Sequence, residues 1–163
     1  MPRLPSGVDV ASTTGQSPSE EALSPDDLAN CATVVLRRVE DGADGCLTIA
    51  EQGGTVPFAI RRVYYITQLR NPAAVRGRHA HKTLQQAIFC VNGSFRLDLD
   101  DGARQTSLVL DTEHVGVYMG PLLWHEMRDF SQDCVILVLA SAVYDEADYL
   151  RSYDAFVAHT TSR

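Results

Sequence analysis

From Ala32 onward the apolar residues fall in short runs separated by turn residues. The runs are ATVVLRRV, CLTIAE, FAIRRVYYITQL, QAIFCVNGSFRLDLDDG, TSLVLD, VGVYMGP and CVILVLASAVY, and DGADG, QGG, NGS, DDG and GP break them. Alternating β-branched runs that restart about every 8 to 12 residues predict the strands of an all-β sandwich or barrel. Asn92 and Gly93 lie between two such runs and predict a tight hairpin. After Tyr144 the alternation stops. Tyr149, Tyr153 and Phe156, spaced by four and then three, predict a short helix packed on the sheet, and the helical extension is placed from about residue 145.

Residues 1 to 30 are rich in Ser, Pro, Thr, Asp and Glu and poor in large apolar side chains. Such a segment buries too little to offset the entropy of ordering it, so it reads as a flexible arm. Ser24 before Pro25 could start one capped helical turn. The remaining residues, 31 to 163, form one domain, a size at which a single core and a single site are expected.

Charge narrows the partners. A formal net charge of -7 argues against nucleic acid or an anionic membrane as the main partner, since both reward clustered Lys and Arg. Within this acidic chain Arg61, Arg62, Arg70, Arg76, Arg78 and Lys82 concentrate in one stretch, which suits a small anionic ligand. No apolar run approaches a membrane helix and the start has no signal-peptide pattern, so a soluble, cytoplasmic protein is expected. Cys31, Cys46, Cys90 and Cys134 form no CxxC pair and read as reduced thiols.

The candidate chemistry sits in RGRHAHK, residues 76 to 82. In a strand, residues i and i+2 share a face, so His79 and His81 project together and Ala80 points away. Arg78 shares Ala80's parity and reads as solvated, whereas Gly77 can bend the chain and leaves the direction of Arg76 open. Paired imidazoles can chelate a metal or move protons. The frame resembles the first metal-binding motif of cupins, but Gln85 and Gln86 stand where the carboxylate belongs, and an amide is a poor ligand. GPLLWHEM supplies a further histidine, His125, in the position of the second cupin motif. The residues favour an anion pocket over a metal centre.

The order of FAIRRVYYI, VRGRHAHKTLQQAIFCVNGSFRLDLDDG, WHEM, DFS and YDEADYLRSYDAF, over residues 58 to 156, resembles the cupin-type dTDP-4-keto-6-deoxyglucose 3,4-ketoisomerases. Related epimerases carry a single histidine after the Arg-Gly. The resemblance implies a cupin double-stranded β-helix (jelly-roll barrel), a homodimer, no cofactor and no metal. It further implies interconversion of a 4-keto and a 3-keto dTDP-6-deoxyhexose in deoxysugar biosynthesis. On that reading His79 and His81 are the catalytic pair, with the identity of the base left open. Arg76 binds the pyrophosphate or the enediolate oxygen, Tyr65 donates to the hexose, and Trp124 and His125 form the rim or far wall. The alternatives are a non-catalytic dTDP-sugar-binding cupin and a metal-dependent cupin enzyme.

Overall fold

The computed structural model describes residues 23–162. Its strands are β1 (Cys31–Val35), β2 (Arg37–Glu40), β3 (Cys46–Ile49), β4 (Arg62–Ile66), β5 (Arg76–His81), β6 (Gln86–Asn92), β7 (Phe95–Asp100), β8 (Gln105–Leu110), β9 (Val115–Met119), β10 (Trp124–Arg128), β11 (Val135–Ala140) and β12 (Tyr149–Leu150), followed by helix α1 (Tyr153–Thr161). One sheet runs β1-β9-β6-β11-β4 and the other β12-β5-β10-β7-β8, while β2 and β3 form a separate ribbon. All strand pairs are antiparallel. This is the two-sheet jelly roll that the alternation and the cupin resemblance predict.

Three apolar clusters hold it together. Ile88, Val117, Ile136 and Val138 of one sheet meet Leu97, Leu99 and Met127 of the other. On the outside of the first sheet Val56 and Phe58 cover Ala87, Phe89 and Leu139. β6 is therefore buried on both faces, which is why QAIFC reads as a continuous run rather than an alternating one. Behind the second sheet α1 lays Phe156 against Ala80, Leu122, Trp124 and Leu150.

Three local expectations change. Asn92-Gly93 closes no hairpin, because β6 and β7 belong to different sheets. Gly93 has φ +71°, the left-handed geometry a tight hairpin would also need, so a sheet-to-sheet corner and a hairpin share one sequence signal. The next turn along the chain does close a hairpin, β7–β8, where Asp101 accepts from the amides of Ala103 and Arg104. At the C-terminal end the helix begins only at Tyr153, capped by the Ser152 side chain, and Tyr149 is instead on β12. Finally, residues 24 to 30 are docked rather than free. The Ser24-Pro25 turn carries a capping box, Asp26 accepts from Thr33, and Leu28 is buried in the main core. The rest of the predicted arm, residues 1 to 22, lies outside the described residues.

Candidate active site

The site is made by an irregularity in β5. His79 sits opposite His125 of β10, but Arg76 sits opposite Met127, and the register shifts between them. Gly77 and Arg78 have φ +81° and +57°, so the strand bulges there. Regular alternation would send Arg76 to the outer face. The bulge returns it to the inner one, so that Arg76 and His79, three apart, both line the same cavity. Glycine is required at 77, because a Cβ there would lie 2.7 Å from the backbone oxygen of His125. Arg78 is exposed, and Ala80 points to the outer face but is sealed beneath α1.

The cavity holds about 610 Å³, within the range of small-molecule sites. Its floor is Ile66, Ile88, Met119 and Val138, and its polar wall carries His79, His125, Tyr64 and Gln86. Arg62, Arg76 and Arg151 surround it together with Tyr144 and Tyr149. Arg151 is committed to Glu146 through two bonds of 2.7 and 2.8 Å and stacks 4.3 Å from the Tyr149 ring centre. Arg76 forms no ion pair with a described residue, so its charge is available to an anion.

Three imidazoles cluster at this wall. Ring centres lie 4.5 Å apart for His79–His125 and 4.9 Å for His79–His81, and Tyr149 stands 4.8 Å from His79 and 4.3 Å from His81. His79 Nδ1 is 2.9 Å from the Gly77 carbonyl oxygen. A carbonyl only accepts, so Nδ1 carries the proton and Nε2 is left with a lone pair. His81 Nδ1 is 3.1 Å from Asp148 Oδ2, which fixes the same tautomer, and His81 Nε2 is buried with no hydrogen-bond partner among the described residues. His81 stands behind His79 and Tyr149 and borders a smaller recess shared with Thr83 and Asp148.

Electrostatics keep these rings neutral near pH 7. Burial and the neighbouring His79 push His81 down to about 4, against the upward pull of Asp148. Burial also lowers His79, and burial with two imidazole neighbours holds His125 well below the ordinary histidine range. For Asp148, burial opposes ionisation but is outweighed by the Thr83 hydroxyl, the amides of Leu84 and Thr83, and His81, so it stays a carboxylate. Each ring can thus accept a proton, and their mutual proximity disfavours holding two at once. Among the described residues no group of three or more His, Cys, Asp or Glu side chains converges to hold an ion. The glutamines that replace the cupin carboxylate have other bonds: Gln86 Nε2 donates to Tyr64 Oη at 2.7 Å, and Gln85 Oε1 accepts from Tyr118 at 2.9 Å.

Two expected residues lie elsewhere. Tyr65 faces outward and is 70% exposed, while Tyr64, opposite Val138, points into the cavity. Trp124 has the opposite parity to His125 and so lies on the outer face. There its Nε1 donates to Glu126, and its ring packs on Tyr153 and Phe156. His125 lines the cavity beside His79.

Comparison with known proteins agrees with this geometry. The family model described as FdtA, WxcM-like, C-terminal, matches residues 29–161. A TDP-4-oxo-6-deoxy-alpha-D-glucose-3,4-oxoisomerase of Aneurinibacillus thermoaerophilus is 52% identical over 112 residues, covering 69% of this chain and 80% of its own. The chain belongs to the FdtA/WxcM-like 3,4-ketoisomerase family.

Solved ketoisomerases superpose over nearly their whole length. A His-to-Asn variant of the 3,4-ketoisomerase QdtA of Thermoanaerobacterium thermosaccharolyticum, in complex with TDP-4-keto-6-deoxyglucose, gives a TM-score of 0.80 at 41% identity, covering 83% of this chain and 97% of that one. The TDP-quinovose 3,4-ketoisomerase WlaRB of Campylobacter jejuni gives 0.76 at 40% identity, covering 80% and 99%. Within this ketoisomerase the residues missed by sequence reasoning are Arg62, Tyr64, Tyr144, Asp148, Tyr149 and Arg151. Four of them lie in or beside YDEADYLRSY, a motif visible in the sequence whose residues had no assigned task.

Proposed function

We propose that the protein converts TDP-4-keto-6-deoxyglucose into a TDP-3-keto-6-deoxyhexose in deoxysugar biosynthesis, by proton transfer through an enediol. The reading is supported by the 41% identical QdtA variant bound to that sugar nucleotide and by the oxoisomerase relative. Arg76 takes the pyrophosphate or the enediolate oxygen through its planar fork.

The observation that carries the mechanism is the pairing of His81 with Asp148 and its unpartnered Nε2. A buried nitrogen left without a partner costs about 1–3 kcal/mol, and at this position a bound substrate would give it one. His81 Nε2 takes the C3 hydrogen as a proton. The C–H electron pair becomes the C3–C4 double bond, and the C4 carbonyl oxygen becomes the enediolate oxygen. The imidazolium so formed has its Nδ1–H against a carboxylate, a counter-charge that His79 and His125 lack. A proton then passes from the C3 hydroxyl to the C4 oxygen, and returning the abstracted proton to C4 as the carbonyl re-forms at C3 completes an isomerisation that needs no oxidant. General acid–base transfer of this kind typically contributes about 10²–10⁴-fold in rate. His79 and Tyr149 stand between His81 and the cavity, so the hexose meets His81 Nε2 once these two rings part, with Tyr64 facing it from the cavity wall.

The test is incubation with TDP-4-keto-6-deoxyglucose in deuterated water. Deuterium should enter C3 of the recovered substrate and C4 of the product, and the 3-keto product should be trapped by an aminotransferase specific for it. His81→Asn should keep TDP binding while abolishing turnover. If wild type shows neither exchange nor trapped amino sugar at high enzyme concentration, the isomerase reading fails.

A further inference from the structure

A hydroxyl that accepts a hydrogen bond must send its own proton somewhere else. At Tyr64 the acceptor role is fixed by Gln86, which is 3% exposed and places Nε2 at 2.7 Å from Tyr64 Oη. An amide NH₂ has donors only, so the phenol oxygen receives and its proton is free. Gln86 is the hydroxyl's one hydrogen-bond partner among the described residues. The nearby Arg62 guanidinium, 5.2 Å from the Tyr64 ring centre, is likewise a donor and cannot take that proton. Both Tyr64 and Gln86 line the cavity that holds His79 and His125.

We propose that Gln86 is a positioning residue for the isomerisation: by donating to Tyr64 it turns the phenolic proton toward the sugar oxygen that becomes negative in the enediolate. The inference rests on the isomerase reading above. It gives Gln86 a task at the place where the metal-binding cupin frame has a carboxylate. A carboxylate there would accept from the phenol and turn its proton away from the substrate. An apolar side chain of the same length would leave the hydroxyl free to rotate. Gln85 shows the opposite polarity one residue earlier, its oxygen accepting from Tyr118.

The experiment compares wild type, Gln86→Glu, Tyr64→Phe and the double variant, by C3 exchange and 3-keto product formation, from neutral to alkaline pH. Wild type at each pH is the reference, since His79, His125, Tyr144, Tyr149, Arg62, Arg76 and Arg151 share the cavity in every variant. Gln86→Glu should lose about 10²-fold in kcat at alkaline pH, the order expected for one oxyanion donor, with KM changed far less. The loss should shrink toward lower pH, where the introduced carboxyl is protonated and can donate. In the Tyr64→Phe background the same change should cost little, because its effect runs through the phenol. Should Gln86→Glu not fold by far-UV circular dichroism, Gln86→Met replaces it, with an expected loss of about 10-fold that vanishes in the same background. A kcat for Gln86→Glu equal to wild type at every pH means that Tyr64 donates to residue 86, and overturns the proposal. An equal loss with and without Tyr64 also overturns it, as a purely structural effect. An inactive wild type defeats the isomerase reading together with this one, whereas an active wild type with a tolerant Gln86→Glu defeats this one alone.

Discussion

Replacing Asp148 with Asn removes one charge and leaves the shape almost unchanged. Its carboxylate receives four hydrogen bonds: Thr83 N at 2.8 Å and Thr83 Oγ1 at 2.7 Å on one oxygen, Leu84 N at 3.2 Å and His81 Nδ1 at 3.1 Å on the other. An amide cannot accept on both sides. With its NH₂ toward His81 it forces Nδ1 to accept, moves the ring proton to Nε2, and orphans the Leu84 amide. With its NH₂ toward Thr83 it orphans the Thr83 amide instead. In the first orientation the buried Leu84 loses its N–H partner, at about 1–3 kcal/mol, whereas in the second the exposed Thr83 amide can turn to water at little cost. In a domain of this size each kcal/mol lowers Tm by about 2–4 °C. The chemical cost is larger: in the first orientation the base is protonated at Nε2 and cannot take the C3 hydrogen, and in the second the imidazolium has lost the carboxylate that compensates its charge. In the serine protease triad the analogous Asp-to-Asn change lowers kcat by about 10⁴. We expect Asp148→Asn to lose about 10²–10⁴-fold in kcat while binding TDP normally. Product NMR gives the turnover, calorimetry the TDP affinity, and a thermal melt the stability. A variant with wild-type turnover and an unchanged Tm would refute the assignment of Asp148 as the partner of His81.

Two further outcomes follow from the same geometry. Gly77→Ala should lower both Tm and kcat, since the new Cβ meets the His125 backbone oxygen at 2.7 Å in a left-handed conformation; a normal melt with normal turnover would show that the bulge does not position His79. Stability should fall as pH drops from 6.5 toward about 4, because His81 stays neutral when folded while its unfolded form takes up a proton. His79 and His125 act in the same direction, and His81 alone contributes at most about 1.4 kcal/mol per pH unit. A urea midpoint that stays flat over this window would contradict the burial of the three rings.

The fold was legible because most strands bury one face and alternate, and because β6, buried on both, still carries turns at each end. The site was legible in part. Strand parity brought His79 and His81 together, but it chose Tyr65 over Tyr64 by treating the strand as it would run in a related protein. In β4 the inward set is Arg62, Tyr64 and Ile66, and the outward set is Val63 and Tyr65, so the cavity face is the more polar one and hydrophobicity points the wrong way. Trp124 failed for a different reason: a second apolar layer beneath α1 competes with the cavity for aromatic residues. Asp148 had no local signal at all, since its partner lies 67 residues earlier in the chain. A strand of two residues such as β12 is too short to show a period.

The counter-charge for His81 comes from the segment that adds the two-residue β12 to the edge of β5, and residues 142 to 147 before it are exposed. A segment with so few buried contacts opens at a lower free energy than the sandwich that β1 to β11 build. The barrel can therefore be intact while the base is not, with an imidazole free to choose its tautomer. Proteolytic nicking or slow docking at residues 141 to 148 would then silence chemistry in molecules that are otherwise folded, so that the active fraction of a preparation and its folded fraction need not be the same quantity.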